Sequence, residues 1–264
     1  MTRSFVHSLD IAHDRRLAEF RGEEETREFA PKRGPSEGSA EGPPPVSGKL
    51  RAAVDAGSIV SFVSGLGAEQ MSDVLYSTQL AQRAASAKFD RFSQTKEWYG
   101  LYVDVLDRLG WVGEGLAFSQ RDTSAGEFRM DRAALDVIAA VAAGGQLAIL
   151  VKTLDAMKTL GEGDRPLRIF DLQAMQALSG NFQIGAAQRA DNGATSMALG
   201  AFHFRASDNR GKFLFFSWGA KAVEFWTAVR KMTLNEALYA GHRDAVMARL
   251  KADAADYIDA LEIK

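Results

Sequence analysis

The sequence predicts an α+β fold: an antiparallel sheet of about four to six strands packed with about six helices, in a single domain behind a disordered N-terminal tail. Three observations carry this reading. Residues 181–234 read as consecutive strands joined by turn residues, the stretch before them shows mostly helical periodicity, and residues 1–46 have the composition of a segment that does not pack.

The tail, residues 1–46, holds five of the six prolines (Pro31, Pro35, Pro43, Pro44, Pro45) and the acidic run Glu23-Glu24-Glu25. Such a segment buries too little apolar surface to offset its conformational entropy, so disorder is expected, with transient helix between Ile11 and Phe29. Met1 to Asp14 has no apolar run followed by a small-residue cleavage site. The expected location is therefore the cytoplasm, or outside the cell by a route without a classical signal peptide, with the tail as a loading segment for secretion machinery.

Residues 47–264 form the globular domain. Ser58 to Val63 reads as a buried strand, followed by Gly65-Leu66-Gly67 and a helix over Ala68 to Phe89. The Gly-x-Gly pair lacks the third glycine of a dinucleotide loop, because position 70 is Gln70, and it reads as a turn. Trp98, Leu101, Tyr102, Val105, Leu106 and Leu109 mark one face of a helix that Gly110 ends. Trp111 to Phe118 then reads as a strand, with Gly126 to Met130 as a short partner.

Asp131 is placed to cap a helix carrying Leu135, Ile138 and Val141, and Gly144-Gly145 separates it from a second helix over Leu147 to Met157. From Ala133 to Val151 only Asp136 and Gln146 interrupt the uncharged run, which predicts a buried helical hairpin. The alternative is a hairpin that enters a bilayer on demand. Pro166 opens one more helix, with Ile169, Leu172, Met175 and Leu178 on its face.

Four strands follow: Phe182–Ala187, Thr195–Phe204, Lys212–Trp218 and Val223–Met232. Asp191-Asn192-Gly193 and Asp208-Asn209-Arg210-Gly211 supply hairpin turns between the first three. In the second strand Met197, Leu199, Ala201 and His203 alternate with Ala198, Gly200, Phe202 and Phe204, so both faces are apolar and both need a cover. Helices, a partner, a lipid chain or a membrane would each serve. Thr233-Leu234-Asn235-Glu236 has the capping-box form and starts the last helix, whose inner face carries Leu238, His242, Ala245, Val246, Leu250, Tyr257, Ile258 and Leu261.

A formal net charge of -2 and the absence of a basic cluster with interleaved aromatics argue against nucleic-acid partners. The chain has no cysteine, which removes disulfides, thiolate metal sites and cysteine nucleophiles together. His7 and His13 lie in the tail, and His203 and His242 read as satisfied core histidines because no third ligand stands at a diagnostic spacing. Ser93-Gln94-Thr95-Lys96 matches Ser-x-x-Lys, but its companion elements are missing, and Ser93 or Thr95 reads as a helix cap. No catalytic residue, metal site or cofactor is assigned.

Ser72 to Ala81, Lys88-Phe89-Asp90-Arg91-Phe92 and Glu97-Trp98-Tyr99 resemble the N-terminal part of Evf-type bacterial virulence-factor proteins. Asn181-Phe182-Gln183-Ile184-Gly185, Gly200-Ala201-Phe202-His203-Phe204 and Leu234 to Tyr239 resemble the later part, so the likeness runs from about Val46 to Lys264. The resemblance implies an apolar cavity holding a fatty acyl chain through a cysteine thioester. Without cysteine the thioester cannot form, and Ala186 and Ala187 stand near the position that it would occupy. The expected ligand-binding residues are Ala186, Ala187, Phe202, Phe204, Phe213 and Phe215, around a non-covalent fatty acid. The expected function is a non-enzymatic virulence-type or accessory protein that binds an acyl chain or membrane. The alternative is a protein-interaction module, or a secreted cargo or effector loaded through its tail; a hydrolase would require Ser, His and carboxylate to converge.

Overall fold

The computed structural model describes residues 2–10, 51–55, 57–124, 126–161 and 163–259. Its first elements are helix α1 (Thr2–Ser8), strands β1 (Arg51–Asp55) and β2 (Ser58–Phe62), and helices α2 (Ala68–Lys88) and α3 (Thr95–Arg108). Short strands β3 (Trp111–Gly113) and β4 (Ser119–Arg121) lead into helices α4 (Met130–Ala139), α5 (Gly144–Thr159) and α6 (Arg165–Ala174). Strands β5 (Met175–Gln176), β6 (Ser179–Arg189), β7 (Thr195–Ala206) and β8 (Val223–Leu234) precede helices α7 (Glu236–Ala240) and α8 (Arg243–Asp259).

The fold is α+β, with one sheet ordered β1-β2-β6-β7-β8-β3; β4 also pairs with β8, and β5 with β6. The expectation of an antiparallel sheet is corrected at one place, because β2 runs parallel to β6, Ser58 beside Gln183 and Phe62 beside Ala187. All other strand pairs are antiparallel. The parallel pair follows from connectivity: a long crossover through helices returns the chain to the same end of the sheet.

Period-two alternation sorts the side chains of β6, β7 and β8 to two faces. On the first face Ala187, Met197, Leu199, Ala201, Ala228 and Met232 pack with α1, α2, α3, α7 and α8. On the second, Phe182, Ile184, Ala198, Phe202, Phe204 and Phe225 pack with α4, α5 and α6. The chain's own helices therefore cover both apolar faces. The Ala133–Val151 hairpin is α4 and the start of α5, with Gly144 opening the second helix. Among the described residues no helix is long and apolar enough to cross a membrane.

Close approach in the second core depends on two glycines. Gly180 lies opposite Phe204 in the β6–β7 register, and a Cβ there would stand 1.9 Å from the Phe204 ring. At Gly200 a Cβ would meet the Phe202 ring at 2.5 Å and Ile138 at 2.7 Å. Each ring lies across bare backbone that no other residue type leaves open.

Several local expectations shift. Lys212–Trp218 is not a strand: β7 pairs directly with β8 over Ser196–Ala206 and Val223–Thr233. The intervening chain turns at Lys212 (φ 54), with the Phe215 and Phe216 N–H groups donating to the Lys212 carbonyl at 2.8 and 3.0 Å. Its continuous apolar run drops Phe213, Leu214 and Trp218 into the second core, and only Trp218 bridges to Phe128. Of the strand read over Trp111–Phe118 only Trp111–Gly113 forms, as β3, and the next strand, β4, begins after it at Ser119. Asp131 lies inside α4, paired with Arg129, and Arg129 takes the cap position. Thr233 stays in β8, so Asn235 caps α7, its side chain accepting from the Leu238 N–H at 3.0 Å. Glu236 turns instead to Thr195, accepting from its N–H (3.1 Å) and hydroxyl (2.7 Å).

The first residues of the presumed tail are helical. Val6 and Leu9 are buried in the first core, Arg249 of α8 donates to the Leu9 carbonyl at 2.6 Å, and the Arg108 guanidinium lies 4.9 Å from the centre of the Phe5 ring. A helix this short is marginal alone in water and depends on that docking. The helix expected near Ile11 to Phe29 lies outside the described residues.

Candidate functional site

The six residues expected to bind ligand fall on two faces and mostly contact one another. Ala186 packs in the second core and Ala187 in the first, because neighbouring strand residues point oppositely. Phe202, Phe204 and Phe213 are fully buried, and Phe215 is partly buried beside them. Phe182 joins the cluster, with ring centroids 4.8 Å from Phe202, 6.1 Å from Phe204 and 5.5 Å from Phe213. Phe170 stacks on Phe213 at 5.6 Å, and Phe225 on Phe202 at 5.7 Å. These rings fill space for one another.

A concave site lies elsewhere, at the first face, between the β1–β2 hairpin and α2. Its volume is about 230 Å³. Ala53, Val54, Val60 and Leu75 give it apolar walls, Asp55, Tyr76 and Gln79 add polar ones, and Ser58, Thr78 and Gln82 complete the lining. Val74, Thr78 and Gln82 stand at i, i+4 and i+8 on α2, so one helix stripe turns polar as it reaches this place.

The polar groups at its base form a chain. Gln82 Nε2 donates to Ser58 Oγ at 2.9 Å, and the Ser58 hydroxyl donates to Gln183 Oε1 at 2.9 Å. The Thr78 hydroxyl is committed to the Val74 carbonyl at 2.8 Å. Gln82 is only 2% exposed, yet its Oε1 has no hydrogen-bond donor. No base meets Ser58, because the amides on either side cannot take its proton, so the arrangement binds rather than activates a nucleophile.

Other chemistry-bearing residues are dispersed. Ser93 donates to Asp90 Oδ1 at 2.8 Å in a turn, and Gln94, not Ser93 or Thr95, holds the cap position of α3. Lys96 is exposed, and Thr95 donates back to the Arg91 carbonyl at 3.0 Å. His203 Nδ1 stands 3.4 Å from Thr95 Oγ1, and the ring lies against Trp226. Burial, then the Arg205 charge, lowers the His203 pKa. Among the described residues no group of three or more His, Cys, Asp or Glu is placed to hold a metal ion.

Burial pushes the phenols of Tyr99 and Tyr102 well above their ordinary range, which keeps both as neutral hydrogen-bond groups. Tyr99 donates to Asn181 Oδ1 at 2.8 Å, whereas the Tyr102 hydroxyl has no partner among the described residues. Arg230, 1% exposed, pairs with Asp107 at the end of α3.

His242 departs from the satisfied core histidine that the sequence suggested. It is 1% exposed, and neither ring nitrogen has a partner. Burial lowers its pKa below the ordinary 6.5. Its carbonyl accepts from the Val246 N–H in the first turn of α8, and the positive helix end further disfavours an imidazolium. The adjacent Arg243 is engaged by Asp73 and Glu69 of α2. The folded pKa is below the unfolded one, so this contribution to stability is full above about 6.5 and is lost as the pH falls through the folded value. The unfolding free energy measured in urea is expected to drop between pH 7.5 and pH 5, by no more than about 1.4 kcal/mol per pH unit from one proton. A His242→Gln variant is expected to show a shallower drop; an identical profile would assign the acid sensitivity to other groups.

No protein-family model matches the chain, and no curated protein matches it. Among solved structures, a delta-endotoxin is similar over 79% of this chain and 91% of its own, at 11% identity and a TM-score of 0.43. The Evf virulence factor is similar over 75% of this chain and 79% of its own, at 10% identity and a TM-score of 0.35.

Proposed function

We propose that the protein is a non-enzymatic accessory protein of virulence type that holds a fatty acyl chain non-covalently in the cleft between the β1–β2 hairpin and α2. The observation that carries this reading is the cleft itself, with apolar walls at Ala53, Val54, Val60 and Leu75 and a buried polar base at Ser58 and Gln82. An apolar concavity with a few converging polar groups is the usual form of a small-molecule site. Each methylene removed from water contributes about 0.8 kcal/mol, so a chain of several carbons binds without a covalent bond. The virulence-type context comes from the Evf-like phrases in the sequence. The site proposed differs from the aromatic cluster expected at first, whose rings already occupy one another's space.

Intact mass spectrometry of the freshly purified protein tests the reading. Under native conditions an excess mass matching a short or medium acyl compound is expected, and it should disappear on denaturation. A native mass equal to that of the chain, together with no uptake of added acyl compounds, would overturn the reading.

A further inference from the structure

We infer that His242 is an acid-sensitive latch: a proton taken up there releases α8, with α1 still docked on it, from the first core while the sheet stays folded. This inference does not depend on the acyl-binding reading. His242 stands just before α8 and continues its inner stripe, since His242, Ala245, Val246, Arg249 and Leu250 follow the i, i+3, i+4, i+7, i+8 spacing. Ala245, Val246 and Leu250 are buried in the first core, and Arg249 donates to the Leu9 carbonyl. The imidazole therefore lies in the seam that holds α8 down, with both nitrogens sealed from solvent and unpartnered among the described residues.

The elements packed against α8 are α2, α1 and α7, and none supplies the ring with an acceptor. From α2, Glu69 and Asp73 are both engaged by Arg243, and Tyr76 is partly buried. From α7, Glu236 serves Thr195, and burial pushes the Tyr239 phenol up, which keeps it neutral. On and after α1, His7 and Asp10 are exposed, as is Asp244 in the first turn of α8. A proton on His242 would thus be a buried charge beside Arg243 and the positive end of the helix. It regains hydration when α8 lifts. That movement breaks no strand ladder, because α8 leans on helices, and α7 stays anchored through the Asn235 N–H, which donates to the Gly110 carbonyl at 2.8 Å.

Amide hydrogen exchange of the full chain at pH 7.5, 6.5 and 5.5, read as protection factors, tests the latch in a window above the ordinary carboxylate pKa values. Between pH 6.5 and 5.5 protection of residues 5–9 and 243–250 is expected to fall several-fold, within the limit of about tenfold per pH unit that one proton sets. Residues 196–204 of β7 should keep theirs within about twofold. His242→Phe and His242→Gln take up no proton, and each is expected to abolish the response; should one fail to fold, the other carries the test. His7→Gln should retain it. An equal loss of protection in β7 would overturn the inference by making the effect global. A response that persists in the His242 variants, vanishes in His7→Gln, or is missing from the unaltered protein would also overturn it.

Discussion

Replacing Phe182 by alanine is expected to destabilise the protein by about 4 kcal/mol, the largest effect of any single truncation considered for this fold. Its ring contacts those of Phe170, Phe202, Phe204, Phe213 and Phe225, and it is fully buried. Its removal leaves a hole walled by five other rings, carried by α6, β7, β8 and the loop between β7 and β8, so no single shift can close it. Urea unfolding followed by tryptophan fluorescence should show a lower midpoint with an unchanged slope. A loss below about 1 kcal/mol would mean that the surrounding rings collapse into the space. The same variant bears on ligand binding, because an acyl compound housed at the β1–β2 hairpin should still bind Phe182→Ala.

The second large effect is expected at Arg243. Its guanidinium grips Asp73 with Nε at 2.8 Å and Nη2 at 2.7 Å, and Asp73 is only 2% exposed. This pair ties the start of α8 to α2. Arg243→Met removes the cation and leaves a buried carboxylate, for a cost of about 3 kcal/mol after allowance for the partly exposed arginine. The double variant Asp73→Leu with Arg243→Met is expected to recover most of the loss, since a well-packed apolar pair avoids the stranded charge. A double variant as unstable as the single one would show that the arginine acts through its packing. Because α1 docks on α8, amide exchange of residues 5–9 should quicken in the single variant.

The central strands were legible because two independent signals agreed. Turn residues bounded them, Gly193 adopting φ 83 as a hairpin requires, and side chains alternated at period two. Lys212–Trp218 misled because a continuous apolar run carries no period; buried loops and buried strands look alike in it. The capping box at Thr233 misled by two residues because β8 continues, and its glutamate serves the neighbouring strand β7 instead. The apolar faces were also legible, but the sequence could not say what covers them.

The cleft was not legible. Ser58 and Gln82 are 24 residues apart, and Ser58 and Gln183 are 125 apart. Each looks like an ordinary polar residue until the sheet brings them together. The one available trace was Thr78 and Gln82 following Val74 on the same helix stripe, a place where apolar residues are expected. The aromatic cluster was legible as residue type alone, and in the fold its rings contact one another.

The parallel pairing of β2 with β6 also has a kinetic side. β6, β7 and β8 are neighbours in both sequence and sheet, so their pairing closes only short loops. The β1–β2 hairpin reaches the sheet through a strand more than a hundred residues away, and the entropy of closing that loop delays its arrival. The β6–β8 part of the sheet, which contributes to both cores, is therefore expected to assemble early, and the hairpin to add to it last. Since that hairpin forms one wall of the cleft, binding capacity should appear only in the slowest folding phase, and a partly folded chain would have a core before it has a site.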